Sequence, residues 1–363
     1  IKRNILDKSQ MLIGLKIFRR VIERENKLHP NTPAAKWDTS MWINSERKIV
    51  RRQNDLCRLG LVELLCNMIS QADDIELQFE SMLLGIALLL GGNKAVQDEF
   101  LKYIQEDIQN NFLISIKETI VNSFEVIKKT MSERNKYYWK KTYVITDREK
   151  LNKGRSNSMR TNSMKKGAKS MDTMDDRYID DIISSNHHEN DEAFYEEVGL
   201  SLTLLERVYR FLQLLCEGHN FDLQSQLRVQ KTSTGSVNRR TFDFISHTAF
   251  YFNALTKQIN IDSLDVGVQI LDFLIEAVQG PCGENQRALA KSNIINSSMD
   301  FLTIFKKRSD YMKRGFFTQE QVNQMDQATA KSMKLLNAMI EGSSSNTDIL
   351  EGMSSLDFSF LIQ

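Results

Sequence analysis

Apolar residues along most of this chain recur with helical rather than strand spacing. Leu202, Leu205, Val208, Tyr209, Leu212 and Leu215 fall three or four residues apart, marking one face of a helix predicted over 193–217. Ile5, Leu12, Leu15, Ile17, Phe18, Val21 and Ile22 predict a first amphipathic helix over 5–28, which His29-Pro30-Asn31-Thr32-Pro33 ends. A second helical block spans 42–70 with a break at Gly60, and a nearly all-apolar helix, buried on most sides, spans 77–90. Gly91-Gly92-Asn93 stops it. Further helices are predicted to about 103, over 112–138, and over 220–229, 239–259, 263–279, 284–292, 293–308, 318–341 and 346–360.

Alternating β-branched runs are almost absent, and the 363 residues include only three prolines, Pro30, Pro33 and Pro281. Leu, Met, Gln, Glu and Lys abound, and these side chains lose little freedom in a helix. The expected fold is therefore all-α. Hydrophobic residues make up 41% and charged residues 26%, a globular balance. The longest apolar run, Met82 to Leu90, is about half a membrane span, so no membrane insertion is expected. Cys57, Cys66, Cys216 and Cys282 lie far apart in apolar stretches and read as reduced core thiols. The start, Ile1-Lys2-Arg3-Asn4, reads as a piece of a longer protein.

Charge is unevenly spread. Residues 128–170 carry 14 Lys/Arg against 3 Asp/Glu, and residues 171–197 carry 1 against 10. Apolar-poor segments of this kind do not bury enough surface to offset ordering entropy. We expect helical repeats over 1–145, a disordered charged linker over 146–192, and a second helical region over 193–363. A weak internal repeat supports a stacked architecture. Gln53 and Gln286 are each followed by an apolar residue at +3, a turn former at +7 (Gly60, Asn293) and apolar residues at +8 and +9. Gln97 with Phe100, and Gln224 with Leu227, repeat its start. Gln53 and Gln97 are 44 residues apart, about one armadillo or HEAT unit, and such units stack into a helical solenoid.

Enzyme signatures are missing: there is no phosphate-binding glycine loop, no His-Glu-x-x-His and no Cys-x-x-Cys. No catalytic role is expected. Tyr137-Tyr138-Trp139-Lys140-Lys141-Thr142-Tyr143 mixes aromatics with lysines, but the acidic block that follows offsets its field, and no nucleic acid is expected as partner. Ser158 and Ser163 each have an Arg three residues upstream and are candidate phosphorylation sites.

Two segments carry candidate metal chemistry, Leu214-Leu215-Cys216-Glu217-Gly218-His219-Asn220 and Phe273-Leu274-Ile275-Glu276-Ala277-Val278-Gln279-Gly280-Pro281-Cys282. Each is an apolar helical run with a Glu near its C-terminus, where the helix dipole disfavours a carboxylate. Two exposed glutamates are the plain reading of the spacing. A shared cation is the sharper one. Calcium would take oxygen from Glu217, Glu276 and free helix-end carbonyls, with His219 and Gln279 orienting the carboxylates. Zinc is the rival, through Cys216, His219 and Cys282, although Cys216 continues the apolar stripe.

The stretches Phe211 to Gln224 and Gln279-Gly280-Pro281-Cys282-Gly283-Glu284-Asn285-Gln286 resemble signature segments of the intracellular calcium-release channels, the inositol trisphosphate and ryanodine receptors. Ile86 to Asn93 resembles a third family segment, whereas 231–262 departs from the pattern. The resemblance implies a cytosolic armadillo solenoid just before the transmembrane part of a homotetramer, on the cytosolic face of the endoplasmic reticulum or a related calcium store. It places calcium-binding residues on Glu217 and Glu276 and supporting residues on His219 and Gln279. The third ligand would come from a pore-side segment, so the calcium site here is incomplete. The implied partners are the rest of the same channel chain, its pore-side linker and its ligand-binding domains. The implied function is to sense calcium and couple ligand binding to pore gating. The reading from another class is an armadillo-type protein-interaction scaffold without metal.

Overall fold

The computed structural model describes residues 7–26, 39–71, 74–129, 189–257, 263–302, 319–342, 346–354 and 356. The candidate phosphorylation sites Ser158 and Ser163, the Tyr137–Tyr143 stretch and nearly all of the expected linker lie outside them. Residues 189–192 are described, and they already belong to a helix.

Helices run as α1 (Lys8–Asn26), α2 (Thr39–Arg58), α3 (Leu61–Gln71), α4 (Ile75–Leu89), α5 (Lys94–Glu106) and α6 (111–129). They continue as α7 (Glu189–Cys216), α8 (Phe221–Arg228), α9 (Phe244–Thr256), α10 (Leu264–Val278) and α11 (Gly283–Lys291). The last are α12 (294–302), α13 (Gln319–Ile340) and α14 (Thr347–Ser354). Among the described residues there is no strand, only an isolated antiparallel bridge between Lys231 and Val237. Two compact units are distinguished, one of Ile1–Asn122 with Thr203–Gln363 and one of Ser123–Leu202. Both candidate glutamates and all four repeat glutamines belong to the first unit.

Helices of that unit begin and end where local chemistry dictates. Asp74 caps α4 by accepting from the amides of Glu76 and Leu77. Asn93 caps α5, Asn220 caps α8 and Asp243 caps α9 in the same manner. Met82, Leu84, Leu88 and Leu89, in the apolar second half of α4, are fully buried, as that run of residues required. Phe211 of α7 meets Phe100 edge-on at 5.4 Å and Phe112 at 6.2 Å, joining α5, α6 and α7 in one core.

The repeat is real, and its mechanism is a ladder of buried glutamines. The last carbonyls of a helix have no partner within it. Gln53 donates its amide Nε2 to two of them, Ala87 O and Leu90 O at the end of α4, both at 3.0 Å. Gln97 does the same to Leu214 O and Glu217 O at the end of α7, both at 2.9 Å. Gln224 serves Glu276 O and Gln279 O at the end of α10, at 2.6 and 2.9 Å. Gln286 serves Ala338 O and Glu341 O at the end of α13, at 2.9 and 2.8 Å. A primary amide carries two donors, so one glutamine satisfies two carbonyls one turn apart.

The acceptor sides also match. Each capped helix runs into a left-handed glycine, Gly91, Gly218, Gly280 or Gly342, with φ of 80, 76, 86 and 65°. Three of these turns lead, seven residues past the last capped carbonyl, to the next rung: Gln97, Gln224 and Gln286. Asn93 donates to Gln53 Oε1 and Asn220 to Gln97 Oε1, each at 2.9 Å, which fixes the direction of those amides. The turn formers Gly60 and Asn293, seven residues after Gln53 and Gln286, both take positive φ, at 80 and 60°. The fold is all-α and built of stacked helical repeats.

Candidate cation site

Two rungs of the ladder bring the two glutamates together. Glu217 follows the last residue of α7, and its carbonyl is held by Gln97. Glu276 lies in the last turn of α10, and its carbonyl is held by Gln224. Gln224 lies in the first turn of the helix that follows Glu217 through the turn Gly218-His219-Asn220. One turn and one glutamine therefore separate the two acidic residues in space, although 59 positions separate them in sequence.

The turns themselves touch. His219 adopts φ +60° and sits over Gly280 at φ +86°. A Cβ on Gly280 would lie 2.8 Å from His219 Cβ and 2.9 Å from its Cγ, so only glycine fits beneath it. On the other side Gly92 lies against the glutamate: a Cβ there would be 3.4 Å from Glu217 Cγ.

Electrostatics mark the spot. Glu217 Oε2 is buried without a hydrogen-bond partner. The Glu276 carboxyl is pushed above the ordinary glutamate range, first by burial and next by the negative charge of Glu217. Lys334 of α13 and His219 act in the opposite direction, and Asp272 adds to the rise. Asp272 is itself paired with Lys331. Gln279 is half-buried, and its carbonyl accepts from Gln224 at 2.9 Å.

The donor set can be tested against the two metals considered. A half-buried carboxylate pair with an unpartnered oxygen suits a hard cation that prefers oxygen. The helix-end carbonyls expected to be free are instead taken by Gln97 and Gln224, so the carboxylates are what these turns offer. Among the described residues no group of three or more His, Cys, Asp and Glu is arranged to hold a metal ion. Calcium takes about 6–8 oxygens, so two glutamates form part of such a site. Zinc fits poorly. Cys216 and Cys282 are buried, and burial pushes both thiols up, away from the thiolate that zinc binds. The expectation that Cys216 points into the core holds.

Sequence reasoning missed the structural role of Gln97 and Gln224 as caps of the glutamate-bearing helix ends. Both were visible as members of a repeat, but a donor to a helix end 120 or 55 residues away leaves no local trace.

Comparison with known proteins places this region. Residues 200–302, which hold both glutamates, match the family model described as RyR and IP3R Homology associated. Over 113 residues the chain is 31% identical to the inositol 1,4,5-trisphosphate receptor itr-1 of Caenorhabditis elegans. That match takes in 28% of this chain and 4% of the receptor. No helix among the described residues is long and apolar enough to cross a membrane.

Proposed function

We propose, for a chain whose residues 200–302 belong to the ryanodine and inositol trisphosphate receptor family, a role as a calcium-sensing cytosolic repeat region of an intracellular calcium-release channel. Glu217 and Glu276 supply this chain's share of the site, and a pore-side segment of the same tetrameric channel completes it. The observation that carries this reading is the unpartnered, buried Glu217 Oε2 beside a Glu276 whose carboxyl is held up by burial and by Glu217's charge. Folding has brought like charges together, and a cation supplies the attraction that they lack.

The chain's own residues do four things. Glu217 and Glu276 present carboxylate oxygens from consecutive repeats. His219, seated on Gly280, fixes the spacing of the two turns. Lys334 and His219 lessen the repulsion while no cation is bound. The ladder ties Glu217 to α5 and Glu276 to α8, so a change in the separation of the carboxylates is also a change in the stacking of repeats. Calcium affinity that differs between two stackings biases the equilibrium between them, and with it the gate.

The test uses the complete channel. Glu217→Gln with Glu276→Gln removes both charges at nearly constant volume, and calcium activation should move to concentrations about tenfold higher or more. An unchanged activation curve would refute the sensor reading.

A further inference from the structure

The ladder assigns unequal work to chemically equal residues. Gln53, Gln97, Gln224 and Gln286 are all buried, and each donates twice to the end of a helix in the next repeat. Only two of them hold the residues of the carboxylate pair. Gln97 holds the carbonyl of Glu217 itself, and Gln224 holds the carbonyls of Glu276 and Gln279. We infer that Gln97 and Gln224 are positioning residues that set the separation of Glu217 and Glu276, and that they carry displacements of the preceding repeat into that separation.

The geometry gives the reason. A glutamate at a helix end has a soft backbone, because its carbonyl lies beyond the regular ladder of the helix. Left alone, the Glu217 turn would relax away from Glu276 under their mutual repulsion. Gln97 prevents this by gripping Leu214 O and Glu217 O together, one helical turn apart. Its own direction is fixed by Asn220, which caps α8, the helix that carries Gln224. The path from α5 to Glu276 is therefore continuous: Gln97, the Glu217–Asn220 turn, Gln224, then the end of α10. Lys331, paired with Asp272, ties α10 onward to α13.

The repeat supplies internal controls. Gln53→Met and Gln286→Met remove the same two donors from helix ends that carry neither glutamate, whereas Gln97→Met and Gln224→Met remove them from the helix ends that carry Glu217 and Glu276. In chelator, all four should lower the urea midpoint of the 363-residue chain by similar amounts. A metal-free readout separates positioning from support. Glu217→Gln relieves the repulsion and should raise the midpoint in the wild-type and Gln53→Met backgrounds. That gain should vanish with Gln97→Met or Gln224→Met, because the pair has already drifted apart. Titration of the complete channel, which includes the pore-side segment, with calcium chloride is the second readout and rests on the calcium reading above. Gln97→Met and Gln224→Met should weaken binding about tenfold relative to the two control variants.

Equal gains from Glu217→Gln in all backgrounds would overturn the inference. A coupled gain with no calcium binding even by the wild-type complete channel would uphold the positioning role and sink the calcium reading alone. Should a Gln→Met chain not fold, Asn220→Ala against Asn93→Ala gives the milder matched pair. Each of these removes the donor to one rung and one helix cap. Only Asn220→Ala should abolish the Glu217→Gln gain; loss in both or in neither overturns the inference.

Discussion

Gly280→Ala tests whether the two glutamate-bearing turns abut. An alanine there meets two costs. The backbone is left-handed at φ +86°, which costs an L-residue about 1–2 kcal/mol. The new methyl would also sit 2.8 Å from His219 Cβ. A Cβ is fixed by its backbone and does not rotate away, so the whole turn must shift, at about 1–3 kcal/mol. Gly218→Ala isolates the first cost, because Gly218 is left-handed at +76° with nothing within 4 Å of its added Cβ. Urea unfolding followed by circular dichroism should show Gly218→Ala losing about 1–2 kcal/mol and Gly280→Ala about 3 kcal/mol, with unchanged slopes. His219→Gly removes the opposing Cβ. In that background Gly280→Ala should fall back to the cost of strain alone, a coupling readable as a double-mutant cycle. Equal losses from Gly218→Ala and Gly280→Ala would refute the contact, and with it the closeness of Glu217 and Glu276.

Other expectations concern pH and the aromatic core. Glu276 has its folded-state carboxyl raised above its ordinary value of 4.5, chiefly by burial. The folded chain thus holds that proton more tightly than the unfolded chain does. The resulting stability is fully present below the ordinary value and is lost as pH rises through the folded-state value. Glu276→Gln should flatten this decline in urea midpoints measured over mildly acidic to neutral pH, and an undiminished slope would count against the assignment. Gly85→Ala should destabilise by about 2 kcal/mol although alanine favours helices. Its Cβ would lie 2.8 Å from Phe211 Cε2, and that ring is wedged against Phe100 and Phe112. Gly14→Ala, also helical with nothing within 4 Å, should stabilise by about 1 kcal/mol, and a gain at both positions would show the Phe211 core to be loose.

Much of the fold was legible because helix signals are local. The all-apolar run to Leu90 followed by Gly91-Gly92-Asn93 reports its own end, since a left-handed glycine and a side-chain cap act within a few residues. The helix expected from 193 begins earlier, at Glu189. The repeat was visible in Gln53, Gln97, Gln224 and Gln286 only as a pattern of starts. What those residues do depends on carbonyls between 34 and 120 positions away, which no local pattern encodes. For the same reason the helix-end carbonyls of Glu217 and Glu276 read as free in sequence and are occupied in the structure. The burial of Cys216 was legible, because it continues the Leu212–Leu215 stripe. The contact of His219 with Gly280 was not, because both turns owe it to backbone dihedrals set by tertiary packing.

The spacing of the rungs also bears on how the chain is made. Gln53 finds its first acceptor 34 residues downstream, whereas Gln97 finds its own only 117 residues later. At ribosomal speeds of about 5–20 residues per second, Gln97 waits roughly 6–23 s for a partner that Gln53 meets within roughly 2–7 s. Throughout that interval the nascent α5 has neither the end of α7 nor the Phe211 ring to cover Phe100. Among the four glutamine rungs, the one joining α5 to α7 thus stays open longest during synthesis.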